Sequence, residues 1–441
     1  MDAQWSYLTD LLLEHLRGRM SLIQPSEERR QLVAGALETL YRERGQDHLP
    51  ELATEMARQE FLRAFLCYDL IEEFLADPSV EDVMINATEP IFVHKTGMGL
   101  VKTERRFASI GDVTRLVTKL IVFAGRAELD PINDVELADA RGRVNIISSP
   151  FGPQITITRG KPNPLTILQL IEDGMLPYEA AAQLWLYVEG FRVRPANLLI
   201  AGGPGAGKTT LLNALLSFIP PRERLVTIED TLELNTGCLE NCSRLESCRR
   251  VKMDALVKNS LRMRPERIVV GEVRGVEAQD LMTAVNLGKY CMSTVHASSA
   301  RETVLRLQHE PMHVPPVLVS LLDALVVLRK LNVEGRVARV VAEVAEVAGL
   351  EQQVVLLSPT WTYEQERRRL IESSPSSVYR DRLALESGRS AVQIMEETRR
   401  RAEVLRRMHQ AGRFTTIEAV TQCCQLYSDH PEQALARLEH V

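Results

Sequence analysis

An α/β fold is what these 441 residues predict, and two observations predict it. Four short apolar runs, at 198–201, 225–228, 268–271 and 292–295, are too short for surface helices. They read as strands buried on both faces of a parallel sheet. The second observation lies directly after the first run. Gly202-Gly203-Pro204-Gly205-Ala206-Gly207 makes a turn, and Lys208-Thr209-Thr210 then opens a helix with Leu211, Leu212, Leu215 and Leu216 on one face.

That strand–turn–helix stretch has the spacing of a phosphate-binding loop: Gly202, four residues, Gly207, Lys208 and Thr209. Glycines let backbone N–H groups curl around phosphate oxygens, and the helix N-terminus adds the positive end of its dipole. Lys208 can reach the outer phosphates, and the Thr209 hydroxyl is placed for Mg²⁺. A glycine-rich turn without a ligand is the bland alternative, and the flanking strand and helix argue against it. The expected ligands are a nucleoside triphosphate and Mg²⁺.

Length allows two or three domains. At 45% hydrophobic and 25% charged, the composition is that of an ordinary folded protein. A net charge of −6 argues against nucleic-acid binding through the overall field, though not against a local basic groove. No apolar run approaches the roughly 20 residues of a membrane span, since the longest candidate, 317–328, is interrupted by Asp323. The first residues are acidic where a signal peptide would be basic, so they read as an amphipathic helix. Seven scattered cysteines suit a reducing compartment. The expected location is cytoplasmic.

Taken in order, residues 2–46 read as two polar-rich helices split at 21–28, with Ser26 as N-cap of the second. A helical region at 51–76 ends at Asp77-Pro78. The period then changes. Strands are expected at 80–85, 90–94, 100–107, 143–147 and 154–158, with an amphipathic helix at 110–124, which makes a small α+β domain. Lys161-Pro162-Asn163-Pro164 is the linker candidate, because two prolines in four residues break either kind of element. Helical patterns at 166–172 and 177–188 lead into the phosphate-loop domain, and a β-rich piece at 337–357 comes after it. The tail from Ser377 is charged and helical, with a capping-box pattern at Thr415 and Glu418 after Gly412. The domain reading is therefore a helical extension (1–76), an α+β domain (77–160), a linker and helix (161–195), the ATP-binding domain with its β piece (196–372) and a helical tail (373–441).

Three of the apolar runs end in polar residues: Glu229-Asp230, Glu272 and His296. Ligands of a parallel α/β sheet bind at the carboxyl ends of its strands, so these side chains would converge on a terminal phosphate. Glu272 could orient or deprotonate a water, Glu229 could hold Mg²⁺ partly through water, and His296 could sense the γ-phosphate. Gly271 stands where many phosphate-loop proteins carry a metal-binding Asp, which shifts that task to Thr209 and Glu229-Asp230.

GGPGAGKTT, LVTIEDTLEL, LVKNSLRMRPERIVVGEVRG and STVHASSARE resemble, in order, the Walker A, Asp-box, Walker B and His-box motifs of the type II/type IV secretion ATPase family. The resemblance runs from about residue 80 to about residue 356. The segments PMHVPPVLVSLLDALVV and VVAEVAEVAG most resemble its archaeal pilus/archaellum and Tad branch. It implies a RecA-like ATPase domain after a small PAS-like α+β domain, a homo-hexameric ring, and work on a polytopic membrane platform protein at the inner face of the membrane. It implies that Gly202 to Thr210 bind nucleotide, that Glu229, Glu272 and His296 are catalytic, and that Arg274 lies near a subunit boundary. It also implies nucleotide-contacting arginines in the α+β domain, for which Arg141, Arg143 and Arg159 are the candidates. Thr158 occupies the family's usual arginine position, and a one-residue shift on a strand reverses the side chain.

Other features have plainer readings. Cys238, Cys242 and Cys248, with Cys291 at a distance, lack the tight pairs of a zinc site and read as unligated thiols, while Cys423-Cys424 reads as helix packing. Arg249, Arg250, Lys252, Lys258, Arg262, Arg264 and Arg267 form a basic stretch that would face a neighbouring subunit or water. Arg399-Arg400-Arg401 with Arg406-Arg407 reads as the polar side of a helix.

The reading is a Mg²⁺-dependent hexameric ATPase motor for a pilus-like filament or for secretion, with hydrolysis switching a hinge at 162–164. A conjugation or type IV secretion translocation ATPase shares every motif. A non-hydrolysing scaffold, a DNA-translocating motor and a small-molecule kinase are the remaining alternatives.

Overall fold

The computed structural model describes residues 3–22, 24–44, 49–138, 142–159, 164–248, 250–333 and 336–439. The chain divides into two compact units, Met1–Pro162 and Asn163–Val441. The proposed linker residues 161–163 lie outside the described residues.

The first unit begins with α1 (Ala3–Leu16), α2 (Ser26–Arg44), α3 (Glu55–Leu66) and the short α4 (Glu72–Ala76). Ser26 is the first helical residue of α2 rather than its cap. The 51–76 region is broken, because Thr54 caps α3 and α3 ends at an extended Cys67. Next come β1 (Val80–Asn86), β2 (Phe92–Lys95), β3 (Gly99–Lys102), α5 (Ile110–Phe123), β4 (Ile132–Glu136), β5 (Gly142–Ile147) and β6 (Gln154–Arg159). They form one antiparallel sheet in the order β3-β2-β1-β6-β5-β4. Strand β4 was not expected. Its sequence, INDVE, sits at the sheet edge, where only Asn133 and Val135 are buried, so its hydrophobic signal is weak. Helix α5 closes one face with Val113, Leu116, Val117 and Leu120, against Phe61 and Phe65 of α3 and Val83 and Ile85 of β1.

The second unit is built on a nine-stranded sheet. In chain order its elements are α6 (Ile167–Glu172), α7 (Tyr178–Glu189), β7 (Leu198–Gly202), α8 (Lys208–Leu216), β8 (Leu225–Glu229), β9 (Cys242–Glu246), α9 (Met253–Ser260), β10 (Arg267–Val273), α10 (Glu277–Asn286), β11 (Tyr290–Val295), α11 (Ala300–Gln308), α12 (Pro316–Val319), β12 (Ala324–Val333), β13 (Arg336–Glu351), β14 (Val354–Glu364) and β15 (Arg369–Glu372). The order is β15-β14-β13-β12-β7-β11-β10-β8-β9, and the six strands from β12 to β9 run parallel. Every residue of β7 and β8 is buried, which is why these segments read as unbroken apolar runs. The α/β class and the parallel phosphate-loop sheet are as the sequence predicts. Strand β9, CSRLE, was missed for the same reason as β4: it is a polar, half-buried edge strand. The β-rich piece after the apolar runs extends this sheet through β13 and β14.

The tail folds as α13 (Val378–Ser387), α14 (Ala391–Gln410), α15 (Ile417–Asp429) and α16 (Pro431–Glu439). Thr416, not Thr415, caps α15, its side chain accepting from Ala419 N. The tail shares a core with the phosphate-loop sheet. Tyr379, Leu383, Leu405, Met408 and Tyr427 pack with Trp185, Leu215 and Phe218. Arg401 is not on the polar side of α14. It is 2% exposed, ion-paired to Glu189 and Glu397, with its guanidinium over the Trp185 ring. Arg267 is likewise fully buried, bonded to Glu223 and to Val188 O, so it leaves the basic surface stretch. Arg249 of that stretch lies outside the described residues. Among the described residues, no helix is long and apolar enough to cross a membrane.

Candidate nucleotide site

Strand β7 ends at Gly202 and the chain turns into α8 through a loop with two left-handed glycines, Gly205 (φ +67°) and Gly207 (φ +96°). Such φ values favour glycine, because a Cβ would clash with the backbone. At Gly202 the reason is space: an added Cβ would lie 3.1 Å from Leu328 O and from Ala206 Cβ. Within the turn Ala206 N donates to Gly203 O, while the Gly205 and Gly207 amides have no main-chain acceptor among the described residues. Those free donors, opening directly onto the N-terminus of α8, are what a phosphate group needs.

Lys208 is nearly buried. Its ammonium donates to Gly202 O (3.1 Å) and Gly203 O (3.4 Å) and lies 3.4 Å from Glu272 Oε1. Glu272, near the carboxyl end of β10, is the centre of the charged cluster. His296 Nε2, just past β11, is 3.1 Å from Oε1, and Arg274 Nε and Nη2 are 2.7 and 2.6 Å from Oε2. Burial alone would raise the Glu272 carboxyl. Arg274, Lys208 and His296 outweigh it and hold the group below its ordinary value. Burial, aided by Lys208, Arg274 and Arg306 and opposed by Glu272, holds the His296 imidazole below its ordinary value. Thr294 Oγ1 donates to Gly271 O (2.8 Å), which ties β11 to β10 beside Glu272.

Glu229 behaves differently. It ends β8 and is 2% exposed, and Oε1 accepts from Glu233 N and Leu234 N. Oε2 is buried with no hydrogen-bond partner among the described residues. Burial lifts this carboxyl to about 7. Register places Gly271 beside it, and a Cβ there would lie 3.2 Å from Glu229 Cγ. The lack of a Cβ at Gly271 therefore leaves room for the Glu229 side chain. The uncommitted Glu229 Oε2 and the Thr209 hydroxyl are each an oxygen donor of the kind Mg²⁺ takes.

The structure thus brings Lys208, Glu272, Arg274 and His296 together at the phosphate loop, with Asp230 4.0 Å from Arg274 Nη1. The arginine candidates lie in the other unit. Arg141 is outside the described residues. Arg143 sits on the open face of β5, opposite Thr158. Arg159 takes the parity of the buried Ile155 and Ile157, and its guanidinium donates to the carbonyls of Asp77 and Val80. A residue that sequence reasoning missed is Arg339 of β13, whose Nε donates to Gly205 O (2.9 Å).

Comparison with known proteins identifies the family. An uncharacterized protein of Methanocaldococcus jannaschii is 41% identical over 234 residues, which is 50% of this chain and 32% of that protein. The match thus spans about a third of that relative's length. A putative conjugal transfer protein of Mycobacterium tuberculosis is 33% identical over 256 residues, 54% of this chain and 71% of that protein. The crystal structure of the pilus retraction motor PilT with bound ADP superposes with a TM-score of 0.48 at 16% identity, covering 83% of this chain and 93% of that one. The family described as Type II/IV secretion system protein matches residues 69–426, and the chain belongs to that family.

Proposed function

We propose that this chain is a Mg²⁺-dependent ATPase that works as a homo-hexameric ring. It turns hydrolysis into movement for a pilus-like, Tad or archaellum-type filament, or for secretion, through a polytopic membrane platform protein at the inner face of the membrane. The observation that carries the reading is the convergence of Lys208, Glu272, Arg274 and His296 beside a glycine cradle with uncommitted amides.

In this reading Lys208 leaves the Gly202 and Gly203 carbonyls for the outer phosphates, and the amides of 205 and 207 hold phosphate oxygens. Thr209 and Glu229 are the residues that would hold Mg²⁺, which when bound would supply positive charge to offset that of the phosphates. Glu272 orients a water and takes its proton as the water oxygen bonds to the γ-phosphorus and the bond to the bridging oxygen breaks. Arg274 and His296 donate to the charge that develops on the transferred group.

The test is ATPase rate against protein concentration, with mass photometry on the same samples. A rate per subunit that rises as hexamers form is the expected result, and full activity in a monomer contradicts the ring. The name of the mycobacterial relative favours a second reading, a translocation ATPase for conjugation or type IV secretion. Salt-dependent DNA affinity with stimulated hydrolysis would select it.

A further inference from the structure

The motifs do not account for how the phosphate loop keeps its shape. A turn carrying four glycines in six residues has more backbone freedom to lose than any other stretch of the chain, so something outside it must hold it. The structure shows two segments against its turn. The β12–β13 hairpin lies along one side: Leu328 pairs with Gly202 and fills the space a Cβ there would take. The turn at Met175 is tied to the same hairpin, Val341 N donating to Met175 O (2.8 Å). At Gly207 the space for a Cβ is occupied by Met175 Cε at 3.2 Å and Arg339 Cδ at 3.6 Å.

Arg339 does more than fill space. Its Nε donates to Gly205 O at 2.9 Å. The Gly205 carbonyl and the Ala206 N–H belong to one rigid peptide plane. That plane is held at both ends, because Ala206 N donates to Gly203 O (3.2 Å). With the plane fixed, the amides on either side of it, at Gly205 and Gly207, stay the open donors of the turn. The Lys208 contacts cannot serve this purpose in the loaded state, because that ammonium is needed at the phosphates.

We propose that Arg339 is a positioning residue for the phosphate loop: from β13 it clamps the Gly205 carbonyl and keeps the loop in its phosphate-receiving shape before any ligand arrives. The proposal rests on the reading of 202–209 as a nucleotide site, and it predicts an effect on affinity rather than on the hydrolytic step.

Two variants of the full chain separate the clamp from simple packing. Arg339→Met keeps the stem over Gly207 and removes the donor, and Arg339→Lys keeps a donor. Hydrogen exchange of the 202–212 segment is measured on the millisecond-to-minute scale without ligand, and affinity is measured with a fluorescent ADP analogue. Arg339→Met is expected to exchange faster in that segment and to bind the analogue about five- to tenfold more weakly. Arg339→Lys is expected to recover most of both losses. Wild-type exchange in Arg339→Met, or no recovery in Arg339→Lys, overturns the proposal. Faster exchange in Arg339→Met in a chain that binds no analogue in any form leaves the clamp standing and removes the nucleotide reading instead.

Discussion

Replacing Glu229 by glutamine tests the electrostatics of the carboxyl beside Gly271. The carboxyl is buried against Gly271, with one oxygen accepting two amides and the other uncommitted, and its folded value is about 7. An unfolded glutamate titrates near 4.3. Between those two values the folded chain holds a proton the unfolded chain has lost. Stability from this group is therefore full below about pH 4.3 and falls as pH rises to about 7. The span from about 4.3 to about 7, at 1.36 kcal/mol per pH unit, makes the full loss about 3.7 kcal/mol. Glutamine keeps the acceptor for Glu233 N and Leu234 N but cannot ionise, so its own packing cost is independent of pH. The assay is urea unfolding of both proteins without Mg²⁺ or nucleotide at pH 5, 6, 7 and 8, monitored by tryptophan fluorescence from Trp185 and Trp361 in the second unit. The stability difference between variant and wild type should move in the variant's favour by about 2.5 kcal/mol from pH 5 to pH 8. A difference constant to within about 0.5 kcal/mol would refute the reasoning.

Three further outcomes rest on the same geometry. Gly271→Ala should destabilise by about 1–2 kcal/mol, because its Cβ lies 3.2 Å from Glu229 Cγ, whereas an unhindered glycine-to-alanine change would stabilise slightly; thermal unfolding reads the sign. Arg401→Met strands the buried Glu189 and should cost about 3–5 kcal/mol in denaturant unfolding; a loss under about 1 kcal/mol would show that the tail is not anchored there. Lys208→Ala should abolish binding of a fluorescent ADP analogue while leaving the melting temperature of the empty protein within a few degrees, and retained affinity would show that the loop is not the site.

How far the sequence reveals the site depends on how each contact is made. The phosphate loop, Glu229, Glu272 and His296 were legible because each lies within or directly after a strand whose apolar run is continuous, so their spacing along the chain carries the geometry. Gly271 was legible as a departure, but its reason, the Glu229 side chain on the neighbouring strand, exists only once β8 and β10 pair. Arg339 was invisible because its partner Gly205 is 134 residues away. Arg401 and Arg267 sit among other basic residues, and nothing in an arginine run marks the one whose partner is a buried glutamate. Arg159 shows the limit of motif matching on strands: one residue of offset put it on the core side of β6, where it bonds main-chain carbonyls. Edge strands β4 and β9 escaped because a polar strand with one exposed side carries little of the alternation on which such reading depends.

The central claim is that Glu272, held by Lys208, Arg274 and His296, carries out hydrolysis on a nucleotide that the glycine loop binds. The most direct test compares wild type with Glu272→Gln, measuring phosphate release and the affinity for a fluorescent ATP analogue under the same conditions. Phosphate release reduced at least a hundredfold with affinity retained is the predicted result. Turnover at the wild-type rate in Glu272→Gln would contradict that claim.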